Sequence, residues 1–298
     1  MNPQFPIYII SKGRWESRKT ARYLEKIDVP YRIVVEQSEY DQYASVIDKS
    51  KILVLPQEYL DEYNTCDDLG NLKSKGSGGS RNFCWDHSIS DGFEYHWVLD
   101  DNIDNFVRLN NNQKIVVGDG TIFRCAEDFV RRYENVPLAS FNYTKFAKKT
   151  DKLPPFVLNT RCFSCLLIRN DGKHRWEGRY NEDLHLSLRI LKDGDCTIQF
   201  NAFLCEKNTT QRVAGGNTKD LYQDGTYDKS KMICDLHPDV STMAIKFSRI
   251  HHHVDFRPFK KNALKRKQDI TIPTEPNEYG MVIKKLDRKF FEYDKYPI

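Results

Sequence analysis

The chain has 298 residues, of which 39% are hydrophobic, 30% charged and 12% aromatic, with a formal charge of +4. This length admits one large domain or two small ones, and the aromatic content with recurring apolar runs excludes a disordered chain. No apolar run approaches the roughly 18 residues a membrane span needs, and the opening segment lacks the basic-then-apolar order of a secretory signal, so a cytoplasmic protein with no membrane partner is expected.

The first hundred residues alternate strand and helix. Residues 6–10, Pro-Ile-Tyr-Ile-Ile, form a short apolar strand ended by Ser11-Lys12-Gly13-Arg14. Residues 16–27 carry helix formers with Ala21, Tyr23, Leu24 and Ile27 near one face, and Asp28-Val29-Pro30 stops them. A second strand is predicted over 31–36, a helix capped by Ser38 to about residue 47, and a third strand over 51–55 before Pro56. The glycine-rich, basic run from Lys73 to Ser80 could be a linker. A helix over 80–90 and a strand over 95–99 follow it, so the run lies inside the alternating unit. It leads into a helix N-terminus, where backbone N–H groups face outward. Apolar strands alternating with helices predict a parallel sheet with covered faces.

Beyond residue 110 the pattern becomes α+β. A helix is predicted over 121–134, strands over 138–143 and 162–168, a helix over 182–192 and a strand over 197–201. The polar stretch 208–225, with Arg212, Gly215 and Gly216, reads as a loop closing over a ligand or as ordinary surface. From 246 to 267 eight residues are basic and one, Asp255, is acidic, and the chain ends in an aromatic segment over 290–293. The expected division is a main domain over 1–245 with a basic, aromatic extension over 246–298 packed on it. Eight cysteines are too few for a disulfide scaffold. Cys162-Phe163-Ser164-Cys165 is a lone CxxC without the second pair a zinc site needs, and its apolar neighbours suggest a buried strand.

The segment Trp97-Val98-Leu99-Asp100-Asp101-Asn102 runs three apolar residues into two carboxylates and an amide. That is the C-terminal end of a buried strand, where open α/β sheets bind ligands. Adjacent acids repel unless cations or donors compensate, and Mg²⁺ or Mn²⁺ favours such oxygens together with substrate phosphates. The plainer alternative is an acidic turn in which Asp101 or Asn102 caps the next helix. Upstream, Gly78-Gly79-Ser80-Arg81-Asn82 could hold a diphosphate through Arg81 and the helix N-terminus, or be a flexible surface loop. Asn181-Glu182-Asp183 precedes a helix, where Asn181 as cap and two acids in the first turn would simply suit the helix dipole. His251-His252-His253 reads as a strand with alternating exposed imidazoles or as a metal ligand set. The basic stretch with Phe247, Phe256 and Phe259 could track a DNA backbone or be solvated surface.

The order of an early strand ending Ser11-Lys12-Gly13-Arg14, the Gly78-Gly79-Ser80-Arg81-Asn82 helix start, the Val98-Leu99-Asp100-Asp101-Asn102 strand end and the later Asn181-Glu182-Asp183 resembles the GT-A-fold glycosyltransferases. More closely, over roughly residues 6–216, it resembles the phage-type TET-associated glycosyltransferases, which transfer sugars to 5-hydroxymethylated pyrimidines in DNA. The resemblance implies a GT-A-like α/β fold with a mixed, mainly parallel sheet flanked by helices. It implies a donor pocket built from Ser11, Lys12, Arg14, Gly79, Arg81, Asn82 and Asp100, with Gly215 and Gly216 in a loop over the diphosphate. The acidic motif departs from the usual Asp-x-Asp in ending on Asn102, so the metal ligands implied are Asp101, Asn102 and a late histidine, His251. Asp183 maps to the acceptor-activating base, with Glu182 as alternate. The implied cofactor is Mn²⁺ or Mg²⁺ and the implied donor a UDP-sugar.

The function expected is metal-dependent sugar transfer to the hydroxyl of a hydroxymethylated pyrimidine in DNA, in the cytoplasm of a phage-infected host. Arg257, Lys260, Lys261, Lys265 and Arg266 are the expected nucleic-acid contacts. A base in duplex DNA would have to be flipped out onto aromatic or apolar side chains. Two rivals are a glycosyltransferase with a glycan or protein acceptor and a noncatalytic nucleic-acid-binding protein on a degenerate transferase fold.

Overall fold

The computed structural model describes residues 1–110, 113–147, 153–207, 227–246, 249–272 and 274–276. Its first strands are β1 (Ile7–Ile10), β2 (Arg32–Glu36), β3 (Ile52–Leu55), β4 (Tyr95–Asp100), β5 (Ile103–Asn110) and β6 (Gln113–Val116). Then come β7 (Leu138–Tyr143), β8 (Phe156–Leu158), β9 (Cys165–Arg169) and β10 (Thr197–Lys207). These ten form one sheet in the order β3-β2-β1-β4-β9-β7-β10-β5-β6, with β8 paired on β10. β1 to β4 are parallel neighbours. β9 runs antiparallel between β4 and β7, so β7 and β10 regain the direction of β4. This is the mainly parallel, Rossmann-type GT-A-like arrangement that the resemblance implies.

Strand alternation puts successive side chains on opposite faces, and both faces are covered. Ile7, Ile9, Trp97 and Leu99 pack on one face with Ala21 and Leu24 of α1 (Lys19–Lys26) and Phe123 and Ala126 of α5 (Thr121–Val130). Tyr8, Ile10 and Val98 pack on the other with Cys84 and Trp85 of α4 (Gly78–Ser90) and Leu186 and Ile190 of α6 (Glu182–Lys192). Each of these helices turns buried residues to the sheet, where apolar area removed from water stabilises by roughly 25 cal/mol per Å². At the N-terminal edge, Glu127 of α5 accepts from the Gln4 and Phe5 N–H groups at 2.7 and 3.3 Å and from Trp97 Nε1 at 2.8 Å. No helix among the described residues is long and apolar enough to cross a membrane.

Several elements differ from the sequence expectation. Ser38 caps nothing: residues Gln37–Glu39 form a 3₁₀ turn and α2 spans only Tyr40–Ala44, after an N-cap at Glu39. A short helix, α3 (Glu58–Asp61), follows β3. α4 starts at Gly78 rather than at Ser80. β9 starts at Cys165 because Ser164 takes a left-handed φ of 60° that breaks the extended run. β10 continues six residues past Asn201, and it bends where its pairing shifts between Phe200 and Leu204.

After these come α7 (Tyr227–Leu236) and a separate hairpin of β11 (Ser241–Lys246) and β12 (Arg249–Val254). The expected domain boundary at 245/246 falls within that hairpin. Phe259 packs with Leu184, Leu188 and Leu191 of α6 and Ile233 of α7. The Asn262 amide donates to the carbonyls of Leu191 and Asp195, both at 2.8 Å.

Candidate active site

The C-terminal ends of β1, β4, β7 and β10 and the N-terminal end of the antiparallel β9 meet at one edge of the sheet. A cleft of about 660 Å³ opens there, and basic side chains outnumber acidic ones along its wall. That is where ligands bind in open α/β sheets.

The acidic motif is held by its backbone before its side chains are considered. Thr20 of α1 donates its hydroxyl to the Asp100 carbonyl at 2.6 Å, its N–H to the Asp101 carbonyl at 3.3 Å, and accepts from the Ile103 N–H at 2.9 Å. Neither Asp101 nor Asn102 caps a helix, since β5 begins at Ile103. Asp100 accepts from Arg81 Nη2 at 3.2 Å, from the Ser164 hydroxyl at 2.7 Å and from the Lys207 ammonium. Burial alone would raise its pKa, but Lys207 and Arg81 hold it down to about 2. Lys207 is in turn pushed above its usual value by Asp100 and Tyr143, against the cost of burial. Asp101 accepts from the Ser11 hydroxyl at 2.7 Å and from the Arg14 guanidinium. Burial raises Asp101, with Arg14 opposing.

Asn102 is different. It is buried, and its Oδ1 has no hydrogen-bond partner. A buried orphan acceptor is costly unless something fills it. Asn102 Oδ1, next in sequence to the Asp101 carboxylate, has the oxygen chemistry that Mg²⁺ or Mn²⁺ favours. Asp100 is the less available of the two carboxylates, being already tied to three donors.

Arg81 lies on the first turn of α4, only 4% exposed. Its guanidinium stacks on Trp176 at 4.8 Å and faces Asp100 and Glu182, the latter at 3.5 Å. Its Nη1 has no hydrogen-bond partner. The glycines before it are required by close packing. A Cβ on Gly78 would lie 1.8 Å from the Tyr63 hydroxyl, and one on Gly79 would lie 2.5 Å from the Tyr59 carbonyl.

Glu182 accepts from the Ser77 hydroxyl at 2.5 Å as well as facing Arg81. Burial raises its pKa, against the pull of Arg81. Asp183 lines the cleft beside it, its carboxylate accepting from the Leu184 N–H at 2.7 Å and its carbonyl from the Ser187 hydroxyl at 2.8 Å. Asn181 does not act as the expected side-chain cap. It sits in the left-handed region at φ 52° and donates its amide to the Lys229 carbonyl of α7 at 2.7 Å. Non-glycine residues in that region are costly and cluster at functional sites. Here the turn aims both acids into the cleft.

A family model for the TET-associated glycosyltransferases matches residues 5–216, more than half of the chain. The chain belongs to the TET-associated glycosyltransferases. Comparison with curated proteins gives no match. The protein is therefore a glycosyltransferase, of a family that acts on modified DNA bases.

Against that identity, the expected site residues of the transferase sort cleanly by position. Ser11, Lys12, Arg14, Arg81, Asp100, Asp101, Asn102, Glu182 and Asp183 all line the cleft. Lys12 is paired with Glu36 at 2.7 Å. Gly79 and Asn82 do not line it: Gly79 faces Tyr59, and Asn82 exchanges hydrogen bonds with the Trp176 backbone at 3.0 Å each way. His251 also lies away from it, opposite Ala244 in the hairpin. Strand alternation turns His252 instead toward Lys229 and Arg161, and burial and those cations push it down to about 4. Arg257, Lys260, Lys261, Lys265 and Arg266 lie outside the cleft, and Arg257 closes on Asp255 at 2.8 Å. Gly215 and Gly216 lie outside the described residues.

Sequence reasoning missed Lys207, Ser164, Tyr143, Lys145, Arg161 and Lys229, which also line the cleft. The one available signal was Ser164, a small polar residue interrupting an apolar run.

Proposed function

We propose that this glycosyltransferase moves a sugar from a UDP-sugar to the hydroxyl of a 5-hydroxymethylated pyrimidine in DNA. The carrying observation is that the Asp183 carboxylate, with the Lys229 ammonium near it, lines the same cleft as the cations Arg14, Arg81 and Lys207. An acceptor base and a diphosphate cradle are thereby within one site.

The donor diphosphate lies against Arg81 Nη1 and the Arg14 and Lys207 side, where fixed positive charge stabilises the leaving group without reorganisation. Asp183 takes the proton of the attacking hydroxyl. The hydroxyl oxygen bonds to the anomeric carbon, the bond from that carbon to the diphosphate oxygen breaks, and UDP leaves with the electron pair. A single displacement of this kind inverts the anomeric centre. Asp101 and Asn102 are the residues to hold a divalent cation, which supplies further neutralisation of the diphosphate charge. Glu182 positions Arg81 and Ser77 rather than acting as base. The host-cell cytoplasm during infection would supply both nucleotide-sugars and phage DNA.

The test is mass spectrometry of DNA containing 5-hydroxymethylcytosine or 5-hydroxymethyluracil, after incubation with a panel of UDP-sugars, with Mn²⁺ and with chelator. A mass gain of one sugar residue on hydroxymethylated DNA alone is expected. Equal labelling of a glycan or protein acceptor, or no transfer from any UDP-sugar, overturns the reading.

A further inference from the structure

The cleft mouth carries a group of side chains that the transfer chemistry leaves unused. Phe146 is 49% exposed, an unusual cost for a large apolar ring. It is not on a loose tip. The Phe146 and Ala147 N–H groups both donate to the Tyr143 carbonyl, at 3.0 and 3.2 Å, and Ala147 is fully buried against Val107 and Leu204. The ring is therefore displayed from a fixed turn.

Two further rings back it. Tyr143 and Phe163 lie 4.4 Å apart between centroids, and Phe146 stands 5.6 Å from Tyr143 and 6.5 Å from Phe163. Cations flank the group. Lys145 Nζ is 5.1 Å from both the Tyr143 and Phe146 rings, and the Arg161 guanidinium is 5.1 Å from Phe163. Arg161 Nε is buried without a hydrogen-bond partner. All five residues line the cleft that holds Asp183.

Aromatic faces bordered by cations are what a nucleobase and its flanking phosphates require. Sugar rings also stack on aromatics, but their hydroxyls call for carboxylates and amides around the ring, and here lysine and arginine stand there instead. A cleft of about 660 Å³ has the volume of a small-ligand site rather than of a duplex. A target base must leave its stack to reach Asp183.

We propose that Phe146, backed by Tyr143 and Phe163, is the stacking platform for the extruded acceptor base, and that Lys145 and Arg161 take the phosphates beside it. This rests on the reading that the acceptor is DNA. It moves the expected DNA contacts from the 257–266 stretch to the lip of the cleft.

The test is a binding measurement, so that it does not depend on sugar transfer. Two fluorescent single strands are titrated against the full chain by anisotropy, one carrying a single 5-hydroxymethylcytosine and the other an abasic site in its place. The wild type is expected to bind the base-bearing strand about 10- to 100-fold more tightly. Phe146→Ala is expected to abolish the difference and Phe146→Trp to keep it, with thermal melts confirming that both variants are folded. Lys145→Ala and Arg161→Ala are each expected to lower the slope of log affinity against log salt by roughly one, without removing the base preference. Equal binding of the two strands by the wild type, or an unchanged preference in Phe146→Ala, overturns the proposal even if sugar is transferred. A Phe146-dependent preference without transfer to DNA upholds the platform and overturns the acceptor chemistry instead.

Discussion

Arg81 Nε and Glu182 Oε1 stand 3.5 Å apart, and the same guanidinium meets Asp100 at 3.2 Å. One buried side chain thus ties the first turn of α4 to the end of β4 and the start of α6. Removing one partner from a buried charge set leaves the others uncompensated. Arg81→Met is expected to lower stability by about 3–5 kcal/mol in denaturant titrations. Arg81→Lys keeps the charge but loses the fork, and should fall between. A loss below 1 kcal/mol for Arg81→Met would contradict this account.

Asp183 and Glu182 are adjacent in sequence but differ in surroundings. Asp183→Asn is expected to cut kcat by roughly 10²- to 10⁴-fold with donor KM nearly unchanged. Glu182→Gln should instead raise donor KM, because Ser77 and Arg81 lose the carboxylate that orients them. Initial-rate kinetics with varied donor separates the two. The reverse pattern would exchange their roles.

Gly79 of α4 and Gly70 in the preceding loop give a test of packing against backbone freedom. Gly79→Ala places a Cβ against the Tyr59 carbonyl, which cannot swing aside, and should cost at least about 2 kcal/mol. Gly70→Ala meets nothing within 4 Å and carries only the strain of φ +52°, about 1 kcal/mol. Thermal melting of the two variants should rank them in that order.

Two carboxylates, Glu127 and Asp100, give pH dependences of opposite sign. Burial pushes Glu127 up to about 7 from 4.5, against the donors that hold it. The folded chain then binds more protons than the unfolded one between those values, so stability falls as pH rises from about 4.5 to 7, by on the order of 2–3 kcal/mol. Asp100, held at about 2, contributes stability that is present above 3.8 and lost as pH falls toward 2. Chemical denaturation across pH 5 to 7 should show the first slope, and Glu127→Gln should flatten it. An equal slope in the variant would place its origin elsewhere.

β1, β4 and α6 were legible because uninterrupted apolar runs and a clear helical period are local signals. The acidic motifs were legible for the same reason, since each ends or begins such an element. Lys207 was not: a lysine at the end of a strand says nothing about a carboxylate 107 residues earlier. The close packing at glycines 78 and 79 was not legible because glycine marks flexibility and close approach alike, and the neighbours Tyr59 and Tyr63 come only from the fold. Asn181 had the composition of a cap but took a left-handed turn, which tertiary contact with α7 fixes. Among three consecutive histidines, the face of β12 depends on its pairing with β11, which composition does not encode.

Asp100 and Lys207 also set an order of events during synthesis. The ribosome releases the carboxylate long before its ammonium partner exists, and β10 is the last of the central strands to be made. Docking of that strand finishes the sheet and adds the Lys207 ammonium to the Arg81 contact at Asp100 in one step, so a nascent chain halted short of residue 207 has an incomplete cleft wall. On the proposed function, capture of the nucleotide donor would thus report completion of the sheet.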